Sequence, residues 1–157
     1  GRGAVLADPT GAVFALWKSA DGDAPDPDLP PVGDWCWNEL YTPHPRVALN
    51  FYEQVFGYDH ETMDMGPLGT YYLLKTGSAS RAGLMHALNG SSQAMWLPYV
   101  AVADCDATAA QVEPLGGQLM HGPQDVPGIG RYCILVDPVG AALAAIRLEP
   151  AGDGQVP

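Results

Sequence analysis

Apolar and polar positions alternate along residues 35–42, WCWNELYT, so Trp35, Trp37, Glu39 and Tyr41 share one face of a predicted strand and Cys36, Asn38, Leu40 and Thr42 the other. Pro43 and Pro45 end that strand, and Pro45 suits the first turn of a helix, where its missing N–H would be an orphan donor anyway. Ala48, Phe51, Tyr52 and Val55 then recur at helical spacing, and Gly57 marks the stop. This stripe predicts cover for the Leu40 face, which leaves the face with two indoles, a carboxylate and a phenol for another purpose. Short strands are predicted next at 61–65, 70–75 and 83–87, with 65–69 as a turn and 89–93 as a flexible connection. A second series follows: a strand at 96–102, a helix capped by Asp104 or Asp106 and ended by Pro114, Gly116 and Gly117, then strands at 118–121, 131–136 and 141–148. Residues 121–130, HGPQDVPGIG, read as a Pro- and Gly-rich loop.

The opening of the chain repeats its end. GRGAVLADPTGA, residues 1–12, matches GRYCILVDPVGA, residues 130–141, at a constant offset of 129 with seven of twelve residues identical. In the second copy the segment forms two closing strands around an Asp-Pro-x-Gly turn, so residues 1–17 are expected to be the closing hairpin of a preceding, largely absent repeat domain. A lone hairpin is marginal in water and needs cover from the main domain or from another molecule, through a homodimer or hairpin exchange at residues 1–17. Residues 19–33 carry four Asp and four Pro, an extended linker, which sets the organisation as hairpin 1–17, linker 18–33, domain 34–150 in two modules (34–93 and 94–150), and tail 151–157.

Composition narrows the function classes. Eighteen acidic against seven basic residues give a net charge of -11, which repels nucleic acid phosphates and anionic membranes. With 157 residues, 47% of them hydrophobic, the chain can build one full domain core, and neither a membrane-length apolar run nor a signal-peptide pattern occurs; the expected location is cytoplasmic. Cys36, Cys105 and Cys133 are odd in number and widely spaced, which reads as reduced thiols rather than a disulfide framework or zinc cluster. No Ser-His-Asp order, Walker loop or dinucleotide fingerprint is found.

The strand and helix at 35–57, with Ala-x-x-Phe-Tyr at 48–52 and Val-Phe-Gly at 55–57, resemble the glyoxalase, bleomycin-resistance and dioxygenase superfamily, the vicinal oxygen chelate proteins. VADCDA at 102–107, LGG at 115–117 and DPVGA at 137–141 extend the resemblance in the expected order. It implies an α+β fold in which paired βαβββ modules form a curled, cup-shaped mixed β-sheet with helices outside. It also implies a metal site built from one residue on the first strand and one near the last strand of each module. Those positions fall on Trp37, Leu97, Ala144 and the neighbourhood of Met85, and indole, alkyl and thioether groups do not suit a hard divalent ion.

No metal or other cofactor is therefore expected, unless a displaced site brings Glu39 and His86 together. These two are also the candidate catalytic residues, Glu39 as a base. Trp35, Trp37, Glu39, Tyr41, Tyr72, Met85, His86, Leu97, Tyr99, Tyr132 and Ala144 are the candidate lining of a pocket for a small, partly aromatic molecule, with Glu39 to orient a donor or cation. His60 and His121, near predicted strand ends, are expected to be solvated, and His44 to cap the helix. Two functions follow: a metal-free module for sequestration or resistance, and an enzyme of lyase, isomerase or dioxygenase type.

Overall fold

A strand–helix–strand–strand–strand run occurs twice in succession, preceded by a hairpin. The computed structural model describes residues 1–22, 30–87 and 90–149; the middle of the expected linker (23–29), part of the 89–93 connection and the 151–157 tail lie outside them. The hairpin is β1 (Arg2–Ala7) and β2 (Val13–Lys18). The first run is β3 (Trp35–Thr42), α1 (Pro45–Phe56), β4 (Asp59–Asp64), β5 (Thr70–Thr76) and β6 (Ala79–His86). The second is β7 (Met95–Ala101), α2 (Cys105–Val112), β8 (Gln118–Val126), β9 (Gly130–Val136) and β10 (Ala142–Leu148). The class is α+β, and eight strands hydrogen-bond in the order β4-β5-β6-β3-β7-β10-β9-β8, with β3–β6 and β7–β10 parallel.

The described residues divide into two compact units, one holding those of 1–26 and 38–97, the other those of 30–37 and 98–149. In the first, α1 starts with Pro45 and stops at Gly57, whose left-handed backbone lets its N–H reach Glu53 O at 2.9 Å. Ala48, Leu49 and Tyr52 are the residues α1 buries, against Leu40, Tyr72, Leu74, Ala82 and Leu84 of the sheet. The predicted stripe is thus rotated: Val55 is 53% exposed, and Phe51 and Phe56 serve a second contact.

That contact is the hairpin. Phe14 meets Phe51, Tyr52 and Phe56 with ring centroids 6.3, 5.7 and 6.0 Å apart. The Asp8 carboxylate accepts the Thr10 and Ala12 N–H groups at 2.7 and 3.1 Å to hold the turn, and its other oxygen accepts the Tyr52 hydroxyl at 3.1 Å. Asp137 holds the second Asp-Pro-x-Gly turn in the same way, through Val139 and Ala141. Pairing is also common to the two hairpins at the 129-residue offset: Arg2 faces Lys18 as Arg131 faces Arg147. Val5, Val13 and Trp17 stay exposed on the hairpin.

In the second unit α2 starts at Asp104, whose carboxylate accepts the Ala107 N–H at 2.9 Å. Cys105 and Ala109 pack on Cys133 and Ala145, and Arg131 clamps Asp106 through two bonds of 2.8 and 2.9 Å. β8 departs from expectation, because the Pro- and Gly-rich stretch after His121 continues as strand to Val126, with register shifts that absorb the extra residues. Among the described residues no helix is long and apolar enough to cross a membrane.

All three cysteines are free, and burial pushes the Cys105 thiol up to about 12 and raises Cys133 as well. Iodoacetamide at neutral pH should therefore label half-buried Cys36 first and leave Cys105 and Cys133 unmodified until the protein is unfolded. Peptide mass spectrometry reads this directly; Cys105 alkylated as fast in native as in denatured protein would contradict it.

Candidate functional site

Which side chains share a face follows from strand register, because residues paired in register point the same way and neighbours alternate. β3 pairs with β6 as Glu39 with Gly83, Tyr41 with Met85 and Thr42 with His86. β5 pairs with β6 as Leu73 with Gly83 and Tyr72 with Leu84. The α1-covered face of the first unit therefore carries Leu40, Tyr72, Leu84 and His86, and the opposite face carries Glu39, Tyr41, Tyr71, Leu73, Gly83 and Met85.

Glu39 is 7% exposed, and its Oε2 accepts the Tyr41 hydroxyl at 2.6 Å. A buried carboxylate is tolerated only with such partners. Met85 is buried beside it. The expectation that Tyr72 and His86 join Glu39 is corrected by the register. Tyr72 belongs to the core under α1, its ring 5.9 Å from His60, and exposed His86 hydrogen-bonds through Nδ1 with Ala87 O at 3.1 Å. Glu39 and His86 thus do not converge on a displaced metal. His60 pairs with Glu53 at 2.6 Å, and His44 stands at the helix N-cap without a side-chain bond.

Tyr71 takes the place expected of Tyr72. Its hydroxyl lies where a Cβ on residue 83 would be, so only glycine at that position leaves the ring room beside Glu39. The available signal was Gly83 itself, together with Arg81 two residues before it. A charged side chain and a missing one both suit a face that no helix covers.

In the second unit the face turned away from α2 is aromatic. Tyr99 pairs with Ala144, which pairs with Ile134; Tyr132 pairs with Ile146. The Tyr99 and Tyr132 rings stand 6.2 Å apart, and His121 stands 5.6 Å from Tyr132 on its other side. His121 Nε2 meets Gln124 Oε1 at 2.8 Å. His121 and Gln124 stand in the Pro- and Gly-rich stretch, whose composition signals a loop and so hides both residues from a strand-based reading of the site. Leu97 and Ala144 are buried, and Trp37 is half-buried. Trp35 is 62% exposed, and Cys36 between the two indoles donates its thiol to Tyr99 O at 3.4 Å.

No protein-family model matches the chain. The "Putative glyoxylase CFP32" of Mycobacterium tuberculosis is 38% identical over 150 residues, covering 96% of this chain and 57% of that protein. The "Anthracycline biosynthesis protein DnrV" of Streptomyces peucetius is 35% identical over 159 residues, covering 98% and 56%. Methylmalonyl-CoA epimerase from Mycobacterium tuberculosis has the same fold, with a TM-score of 0.54 and 17% identity over 75% of this chain and 89% of that one. The chain belongs to the glyoxalase, bleomycin-resistance and dioxygenase superfamily. It spans little more than half the length of the curated relatives it matches.

The positions that the resemblance assigns to metal ligands carry other chemistry in this chain. Met85 lies on the Glu39 face, and Leu97 and Ala144 are on the Tyr99 face of their strands. With Trp37 they offer an indole N–H, two alkyl groups and a thioether, a donor set that does not fit a hard divalent ion. Among the described residues no group of three or more His, Cys, Asp or Glu is arranged to hold one.

Proposed function

We propose that this chain is a small-molecule binding module of the superfamily that takes a flat, partly aromatic ligand without a metal ion. The observation that carries this reading is the exchange of chemistry at the inferred metal positions. Where ligating groups would stand there are Trp37, Leu97, Ala144 and Met85; the face of the first unit that α1 leaves uncovered carries Tyr41, Tyr71 and the buried Glu39 carboxylate, and the face of the second unit turned away from α2 carries Tyr99 and Tyr132. Rings bind flat molecules by stacking and area burial, and a buried carboxylate selects a donor or cation on the ligand. The name of the relative from Streptomyces peucetius, which refers to anthracycline biosynthesis, supports a polycyclic aromatic ligand.

Quenching of tryptophan fluorescence by alizarin, a hydroxylated anthraquinone, tests the proposal. Saturable quenching is expected, and Trp37→Ala should weaken binding by about 1–3 kcal/mol through lost aromatic burial. Absence of saturation, or an unchanged affinity in Trp37→Ala measured by calorimetry, would refute it.

The 2.6 Å bond from the Tyr41 hydroxyl to Glu39 favours a second reading, in which Glu39 acts as a base and a phenol returns the proton. Glu39→Gln separates the two readings. A binding role predicts altered ligand selectivity; a catalytic role predicts lost turnover with alizarin affinity retained.

A further inference from the structure

Tyr72 and His86, which the register removes from the Glu39 face, come together elsewhere in the first unit. Both line a groove of about 430 Å³ at the N-terminal end of α1, with Arg46, Leu68 and Thr70. The helix begins there uncapped: His44 makes no side-chain bond to it, Pro45 has no N–H, and no acidic residue stands in the first turn. The Arg46 N–H finds no acceptor among the described residues, so an orphan donor and the positive end of the helix dipole meet at this point. The Arg46 guanidinium makes no ion pair among the described residues either, in a chain whose net charge is -11.

Tyr72 supplies the independent observation. Its side chain is built into the core at 7% exposure, yet its hydroxyl has no hydrogen-bond partner among the described residues. Since none of the described buried side-chain oxygens is left unsatisfied, that hydroxyl is not sealed in and opens on the groove it lines. A hydroxyl carried on a ring held so firmly is a preorganised donor toward the groove, with little entropy left to lose on binding. The Thr70 hydroxyl lines the same groove, and with Nδ1 of His86 bonded to Ala87 O, Nε2 is left uncommitted.

We infer that this groove binds an oxyanion, the carboxylate or phosphate group of a small molecule, at a site separate from the aromatic faces. The guanidinium and the Tyr72 hydroxyl grip its oxygens, and the Arg46 N–H adds the backbone contact that helix N-termini give to anions. The site is independent of the binding proposed for the aromatic faces, since none of its donors lies on the Glu39 face.

Titration of isotope-labelled protein with inorganic phosphate, and in parallel with acetate, followed by amide chemical shifts, tests the assignment. Saturable shifts confined to Arg46, Val47, Thr70, Tyr72 and His86 are expected with at least one of the two anions, and the better binder tells phosphate from carboxylate. Arg46→Gln, on the surface, should weaken binding at least tenfold, and Tyr72→Phe severalfold with an unchanged denaturation midpoint. Arg46→Gln should leave alizarin quenching unaltered, so that failure here is distinguishable from failure of the ligand reading. Absence of saturable shifts at these amides with either anion, or equal affinity in Arg46→Gln, would overturn the assignment.

Discussion

Tyr52→Ala is expected to release the hairpin from α1 and to cost about 3–5 kcal/mol of stability, as for other large aromatic deletions in a core. Tyr52 is buried and joins three parts of the first unit. Its ring lies 5.7 Å from Phe14 of β2, 6.1 Å from Phe56 and 5.5 Å from Trp96 of β7. Its hydroxyl donates to Asp8 at 3.1 Å and accepts the Trp96 indole N–H at 3.1 Å. Burial raises its pKa above the ordinary phenol value, which keeps it a neutral donor to Asp8 throughout the working pH range. Tyr52→Phe isolates the polar part. It leaves the rings in place but removes a partner from Asp8, which is 5% exposed, for about 1–3 kcal/mol. Amide exchange across β1 and β2 should accelerate in both variants, most in Tyr52→Ala. Full protection of the hairpin in Tyr52→Ala would mean that Tyr52 is not what attaches it.

This junction was only half legible in the sequence. The repeat of residues 1–12 at 130–141 identified a hairpin and its Asp-Pro-x-Gly turn, and the two turns are held by equivalent aspartates. What the repeat could not reveal is the second oxygen of Asp8, since Asp137, its counterpart, makes no corresponding bond to a tyrosine among those described. The helix was equally clear in extent and unclear in facing. Phe51, Tyr52 and Phe56 are apolar enough to serve either side, and a helix covered on two sides leaves no single polar stripe to fix its rotation.

The candidate site failed to be legible for a related reason. Along β3 a carboxylate alternates with Leu40, and the parity was plain. Along β5 the run TYYLLK is apolar on both faces, so alternation carried no information and the choice between Tyr71 and Tyr72 rested on nothing local. Pairing with β6 decides it, and long-range pairing is what a single sequence conceals. β8 is concealed in the opposite way: Gly122, Pro123 and Pro127 are turn-forming residues, yet a bulged strand tolerates two of them inside its length.

Gly83→Ala is expected to destabilise the protein by about 1–3 kcal/mol through overpacking, although glycine-to-alanine changes in strands often stabilise. The backbone at Gly83 needs no left-handed conformation, so the cost is one of space alone. The added methyl would stand on the Tyr71 hydroxyl and within 3.0 Å of its Cε2, and neighbouring Leu84 and Met85 are buried and have little room to yield. Tyr71 must then swing off the Glu39 face, and alizarin affinity should fall with stability. A double-mutant cycle identifies the cause. In a Tyr71→Ala background the collision is gone, and Gly83→Ala should cost no more than about 0.5 kcal/mol. A penalty that persists in that background, measured by denaturant titration, would show that the strand rejects the methyl for some reason other than Tyr71, and the arrangement of that ring beside Glu39 would have to be redrawn.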